Sequence, residues 1–133
     1  MKNIIFLDSG VLSLYLVKDE SLMKELSLTI KRNYSYLSSE LNFIELFNHI
    51  CREKGKINSQ IIMENLRRST FMKFIPVTDK ISIFAGELKC KYRFLSIVDS
   101  VVCAEALLRK ADIYTTETHF SNIKNLKVKK FGF

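Results

Sequence analysis

Apolar residues along this chain fall into short runs that alternate with longer stretches of helical spacing. Asn3–Leu7 is apolar on both alternating faces, which predicts a short strand buried on both sides. Ser9–Val17 then reads as a helix, followed by a second, amphipathic one from Ser21 to Lys31. Tyr34–Leu37 fits a second strand. Ser38 or Ser39 is placed to cap a helix from Glu40 to Glu53, which Gly55 would end. Asn58 fits the cap of a further helix, Ser59–Met72.

Phe74-Ile75-Pro76-Val77 reads as a strand or an extended link, after which Thr78 or Asp79 opens a helix to Tyr92. Ile97–Lys110 is the clearest apolar helix of the second half. Asp112–Thr115 and Leu126–Phe131 complete the pattern as strands. Short buried strands alternating with helices predict an α/β fold in which a parallel sheet is covered on both faces. Ligands of such sheets sit beyond the carboxyl ends of the strands, where Asp8 and Glu117 both fall.

The 133 residues suit one domain spanning 1–133. A single proline, four glycines and no low-complexity tract leave no candidate linker. Lys2 before an apolar run imitates a signal peptide, but Asp8 interrupts the run and no small-residue cleavage site follows. No stretch approaches the roughly 20 apolar residues of a membrane span. A cytoplasmic protein with no membrane partner is expected. Cys51, Cys90 and Cys103 are widely spaced, without a CxxC pair, and read as free thiols; neither they nor His49 and His119 have zinc-ligand spacing.

Charge changes the picture more. The formal net charge is +7, gathered in Lys54-Gly55-Lys56, Arg67-Arg68, Lys89-Cys90-Lys91-Tyr92-Arg93 and Lys124 through Lys130. Such a surface concentrates polyanions, above all nucleic acid. Against that background stand four acids in apolar contexts: Asp8 after the first strand, Glu45 and Asp99 within apolar helix stripes, and Glu117 after the fourth strand. Carboxylates on apolar surfaces cost free energy unless a charged partner compensates, and a divalent cation does so when several converge.

Each acid also has a plainer role. Asp8 fits the N-cap of the helix at Ser9, and Glu45 fits a boundary position reaching water. Ser96-Ile97-Val98-Asp99 has capping-box spacing, and Glu117 fits a solvated loop. Glu40, Glu105 and Asp112 are competing acids that read as surface or first-turn charges.

Order and context separate these readings. The segments Ile4-Ile5-Phe6-Leu7-Asp8-Ser9-Gly10, Ser38-Ser39-Glu40-Leu41-Asn42-Phe43-Ile44-Glu45-Leu46, Leu95-Ser96-Ile97-Val98-Asp99 through Ala106, and Tyr114-Thr115-Thr116-Glu117-Thr118-His119-Phe120 resemble the PIN-domain nucleases over essentially the whole chain. In size the chain looks most like the compact VapC-type toxins of toxin–antitoxin pairs. The resemblance implies a three-layer α/β/α fold with a central, mainly parallel sheet of four to five strands. It further implies that Asp8, Glu45, Asp99 and Glu117 hold Mg²⁺ or Mn²⁺ for hydrolysis of RNA phosphodiesters.

Two departures stand out. Glu117 replaces the more usual aspartate, which moves its carboxylate outward. Ser9-Gly10 replaces a common Thr-Ser pair, leaving Ser9 a hydroxyl to orient Asp8 or bind phosphate. Ser9, Thr115, Lys91 and Arg93 are candidate substrate contacts, with Tyr92 and Arg93 as a possible stack for a splayed base. An antitoxin that lays an apolar helix in a groove, and a homodimer, are the expected protein partners; the segments Phe43–Ile50 and Ile61–Phe71 are candidates for either surface, or for ordinary core.

Two other classes compete. A catalytically weak PIN-fold module that binds RNA or protein is compatible with Glu117 and Gly10. A doubly wound phosphotransfer domain with Asp8 as nucleophile lacks the acid two residues later, where Gly10 stands, and has no glycine-rich phosphate loop.

Overall fold

Five short parallel strands make the centre of the molecule, in the order β3-β2-β1-β4-β5. The computed structural model describes residues 3–132; Met1, Lys2 and Phe133 lie outside it, and with them the Lys2 charge weighed above. The strands are β1 Ile4–Leu7, β2 Ser35–Ser39, β3 Lys73–Ile75, β4 Asp112–Thr115 and β5 Val128–Lys130. Six helices connect them: α1 Ser9–Leu16, α2 Glu20–Lys31, α3 Glu40–Lys54, α4 Lys56–Arg68, α5 Asp79–Lys91 and α6 Ile97–Arg109, with a short 3-10 helix at His119–Asn122. The expected three-layer α/β/α fold is present.

Alternation along β1 builds both hydrophobic layers at once. Ile5 and Leu7 join the cluster made with Val11 and Leu12 of α1, Leu22 of α2, Leu46 of α3 and Met63 of α4. Phe6 turns the other way, onto Ile81 of α5, Val102 of α6 and Ile113 of β4. All three β1 residues are fully buried, as a strand apolar on both faces must be.

Topology places the site. β1 pairs with β2 on one side and β4 on the other, so the chain changes direction across the sheet between those two strands. That switch point opens a crevice at the carboxyl ends of β1 and β4.

Several boundaries differ from the sequence expectation. Gly55, at φ 84°, turns α3 straight into α4, so the fourth helix starts at Lys56 with no side-chain cap. Asn58 donates instead to the carbonyl of Lys54, 2.9 Å away. The helix ends at Arg68 rather than Met72, because Ser69 takes extended backbone toward β3. The last strand shrinks to Val128–Lys130, following a left-handed Asn125. The second strand runs on to Ser39, with Ser38 and Ser39 fully buried.

Candidate active site

Asp8 follows β1 directly, and its amide donates to the Tyr114 carbonyl of β4 at 3.1 Å. Its side chain is 4% exposed. One carboxylate oxygen accepts from the Val11 amide at 2.9 Å, capping α1, and the other accepts from the Thr115 hydroxyl. Burial nevertheless dominates, pushing the Asp8 pKa up to about 6. The hydrogen bonds from Thr115, Val11 and Thr116 pull the other way, and the neighbouring Asp99 charge adds a further upward push. Asp8 is therefore the N-cap of α1, the plainer of its two expected roles.

Asp99 lies in the first turn of α6. Ser96 caps that helix by accepting from the Asp99 amide at 3.0 Å, which is half of the expected capping box. The Asp99 carboxylate turns instead to His119, whose Nε2 lies 2.9 Å from Oδ2. His119 Nδ1 stands 3.8 Å from Glu117 Oε2, so one imidazole bridges two of the four acids. Glu45 extends from the exposed face of α3, where the Ser9 hydroxyl donates to it at 2.6 Å. Asp8, Glu45, Asp99 and Glu117 line one cavity of about 600 Å³, together with Ser9 and His49.

Other candidates are placed differently. Thr115 is fully buried; its hydroxyl donates to Asp8 and accepts from the Glu117 amide, so it braces the acids from behind. Lys91 and Arg93 are exposed near the end of α5, outside the cavity lining. Tyr92 is half-buried, with the Lys91 ammonium 5.3 Å from its ring centroid.

The competing acids separate cleanly. Glu40 is held by both Arg67 nitrogens at 2.6 and 2.8 Å, and this guanidinium lowers the Glu40 pKa. Glu105 corrects the expectation of a surface charge. It is 1% exposed and accepts from Arg109 Nε at 2.9 Å, so a core-facing position on α6 is neutralised from within its own helix. Asp112 begins β4, at the opposite end of the sheet from Asp8.

Sequence reasoning missed His119 and His49 as site residues. The available signal for His119 was its place two residues beyond Glu117; without the fold, nothing tied it to Asp99, 20 positions away. Among the described residues, no three His, Cys, Asp or Glu side chains are already grouped as a ligand set. The acids share a cavity but are individually braced by Thr115, Ser9 and His119.

The family model described as the PIN domain matches residues 5–126. The chain belongs to the PIN-domain family. Among curated proteins none matches it in sequence. Solved structures share the fold of this PIN domain at low identity. VapBC2 from Rickettsia felis, bound to a DNA fragment from its promoter, superposes with a TM-score of 0.81 at 19% identity, covering 97% of this chain and 99% of that one. VapBC-1 from nontypeable Haemophilus influenzae gives 0.73 at 20% identity, covering 96% and 97%. VapC20 of Mycobacterium tuberculosis, described as a toxin cleaving the sarcin–ricin loop, gives 0.70 at 20% identity, covering 89% and 93%. No helix among the described residues is long and apolar enough to cross a membrane.

Proposed function

We propose that this PIN domain is a divalent-metal-dependent endoribonuclease, acting as the toxin of a toxin–antitoxin pair. The observation that carries this reading is Asp8. A carboxyl group held nearly water-free at the switch point, with Glu45, Asp99 and Glu117 on the same cavity, is a costly arrangement that a bound cation would relieve.

The donor set fits a hard cation. All four groups are carboxylates, which suit Mg²⁺ or Mn²⁺ rather than zinc or copper, and the cavity has room for an ion that keeps several waters. Asp8, Glu45 and Asp99 would hold the ion, with the outward Glu117 acting through water. When bound, such an ion lowers the pKa of a water and neutralises charge on the scissile phosphate.

The chain's own groups do the rest. Thr115 and the Val11 amide fix both oxygens of Asp8, Ser9 fixes Glu45, and His119 orients Asp99. The exposed cations Lys91 and Arg93 supply attraction for the RNA backbone without sequence information.

The antitoxin's seat in this reading is a groove beside the acidic cavity. A second cavity of about 430 Å³ lies between α1, α3 and α4, lined by Tyr15, Leu16, Val17, Ile50, Ile62 and Leu66. It shares Ser13 and His49 with the acidic cavity, so a helix lying there could reach the acids with a basic side chain. A homodimer is part of the same proposal, with the exposed Ile44, Ile57 and Ile61 of α3 and α4 as its apolar surface.

The second reading, a binding module with weak catalysis, is favoured by the bracing described above: Asp99 and Glu45 each already have a partner in the protein. One experiment separates the two. A pool of structured RNA is incubated with Mg²⁺, Mn²⁺ or EDTA and with wild type, Asp8→Asn or Asp99→Asn. Metal-dependent cleavage lost in both variants supports the nuclease; cleavage absent, or surviving both substitutions, supports the binding module.

A further inference from the structure

We propose that Phe94 is the stacking platform for a base of single-stranded RNA next to the acidic cavity. This deepens the RNA-directed reading above and rests on it. Phe94 sits in the short turn between α5 and α6 and leaves half of its ring in water. Exposed apolar residues are common singly, so exposure alone decides nothing. Position decides it.

Phe94 packs edge-on against His119, with ring centroids 6.0 Å apart, and the same His119 bonds to Asp99 at 2.9 Å. Two side-chain contacts therefore link an exposed aromatic ring to an acid of the candidate metal site. On its other side Phe94 meets Tyr92, again edge-on at 6.0 Å. Both neighbours touch Phe94 edge to face, in the arrangement aromatic pairs prefer, and hold the ring while half of it stays open to solvent.

The surroundings suit a polyanion. Lys91 and Arg93 flank the turn and are exposed, whereas Lys89 is engaged with the Leu95 carbonyl at 2.7 Å and stiffens the turn from beneath. Tyr92 itself is a poorer platform than its sequence position suggests. It is half-buried against the α5–α6 layer, and Lys91 already lies over its ring. An open ring that follows two exposed cations in the chain and is joined through His119 to Asp99 offers the combination by which single strands are held: backbone charge neutralised and one base stacked. Duplex RNA, whose bases are already stacked, cannot use such a platform.

The chain contains no tryptophan, so Phe94→Trp introduces a single indole, excitable apart from the five tyrosines, at the proposed contact. The variant is made in an Asp8→Asn background to prevent turnover, and titrated with a short single-stranded oligoadenylate, an RNA duplex of equal length, and polyphosphate. Saturable quenching by the single strand, with little from the duplex or polyphosphate, is expected. In the same background Phe94→Leu should weaken single-strand binding by about 5- to 100-fold, and Phe94→Tyr should retain it. Unchanged fluorescence with the single strand, equal quenching by polyphosphate, or undiminished affinity of Phe94→Leu would overturn the proposal and assign the ring to a protein contact instead. The nuclease reading fails separately: quenching by RNA in a protein whose wild type never cleaves keeps the platform and discards the hydrolysis.

Discussion

Thr116 occupies the space that a side chain on Gly10 would need. A Cβ at Gly10 would collide with Thr116 Oγ1 and stand 3.1 Å from its Cβ and Cγ2. Both residues line the acidic cavity. The Ser9-Gly10 pair, unusual beside the Thr-Ser pair expected of the resemblance, thus has a local steric cause: the loop after β4 leans on the first turn of α1. Gly10→Ser should destabilise the protein by about 1–3 kcal/mol through overpacking. Adding Thr116→Ala should recover part of that loss, measured as a double-mutant cycle by denaturant unfolding.

Asp8→Asn should abolish metal-dependent cleavage while leaving the metal-free protein as stable as wild type or more so. The amide keeps an acceptor for Val11 and a partner for Thr115, and removes a carboxylate that burial disfavours. Thermal unfolding in EDTA checks the stability; the RNA-pool assay checks the activity.

The raised Asp8 pKa makes a pH prediction. Unfolded, the group titrates near 3.8; folded, near 6. Between those values the native state binds more protons than the unfolded one, so stability falls as pH rises. In EDTA, Asp8's contribution should be complete below about pH 4 and lost by about pH 7, at about 1.4 kcal/mol per pKa unit. Comparison of Tm against pH for wild type and Asp8→Asn isolates it; parallel curves would exclude Asp8 as the group responsible. Saturating Mg²⁺ should flatten the fall by favouring the ionised form.

Arg109→Met should cost about 3 kcal/mol or more, because it strands the Glu105 carboxylate, 1% exposed, inside the α5–α6 layer. The double variant Glu105→Met with Arg109→Met should regain most of that loss. Unfolding midpoints of the three proteins test the pair, and RNA cleavage should persist in any that fold, since the two residues lie outside the cavity lining.

Much of this architecture was legible in the chain because local patterns carry it. The run at Asn3–Leu7, apolar on both faces, read as a buried strand and is β1, and the caps at Ser39, Thr78 and Ser96 each set a helix start through a side chain three residues from its partner. The start of α4 escaped the same logic. A backbone conformation at Gly55, rather than a side-chain cap, sets that boundary. Glu105 was misjudged as a surface charge because its face on α6 depends on which side of the helix meets the sheet.

The sequence by itself determined that Asp8 would end a buried strand, and that Glu45, Asp99 and Glu117 would stand on elements able to reach it, since strand period, helix period and caps act over a few residues. Only the tertiary structure decided which groups touch: His119 on Asp99, Thr115 behind Asp8, Thr116 over Gly10 and Phe94 beside His119. Those contacts join segments up to 107 positions apart. They depend on the parallel pairing of β1 with β4 and the docking of α6 across both, geometry that no local pattern encodes.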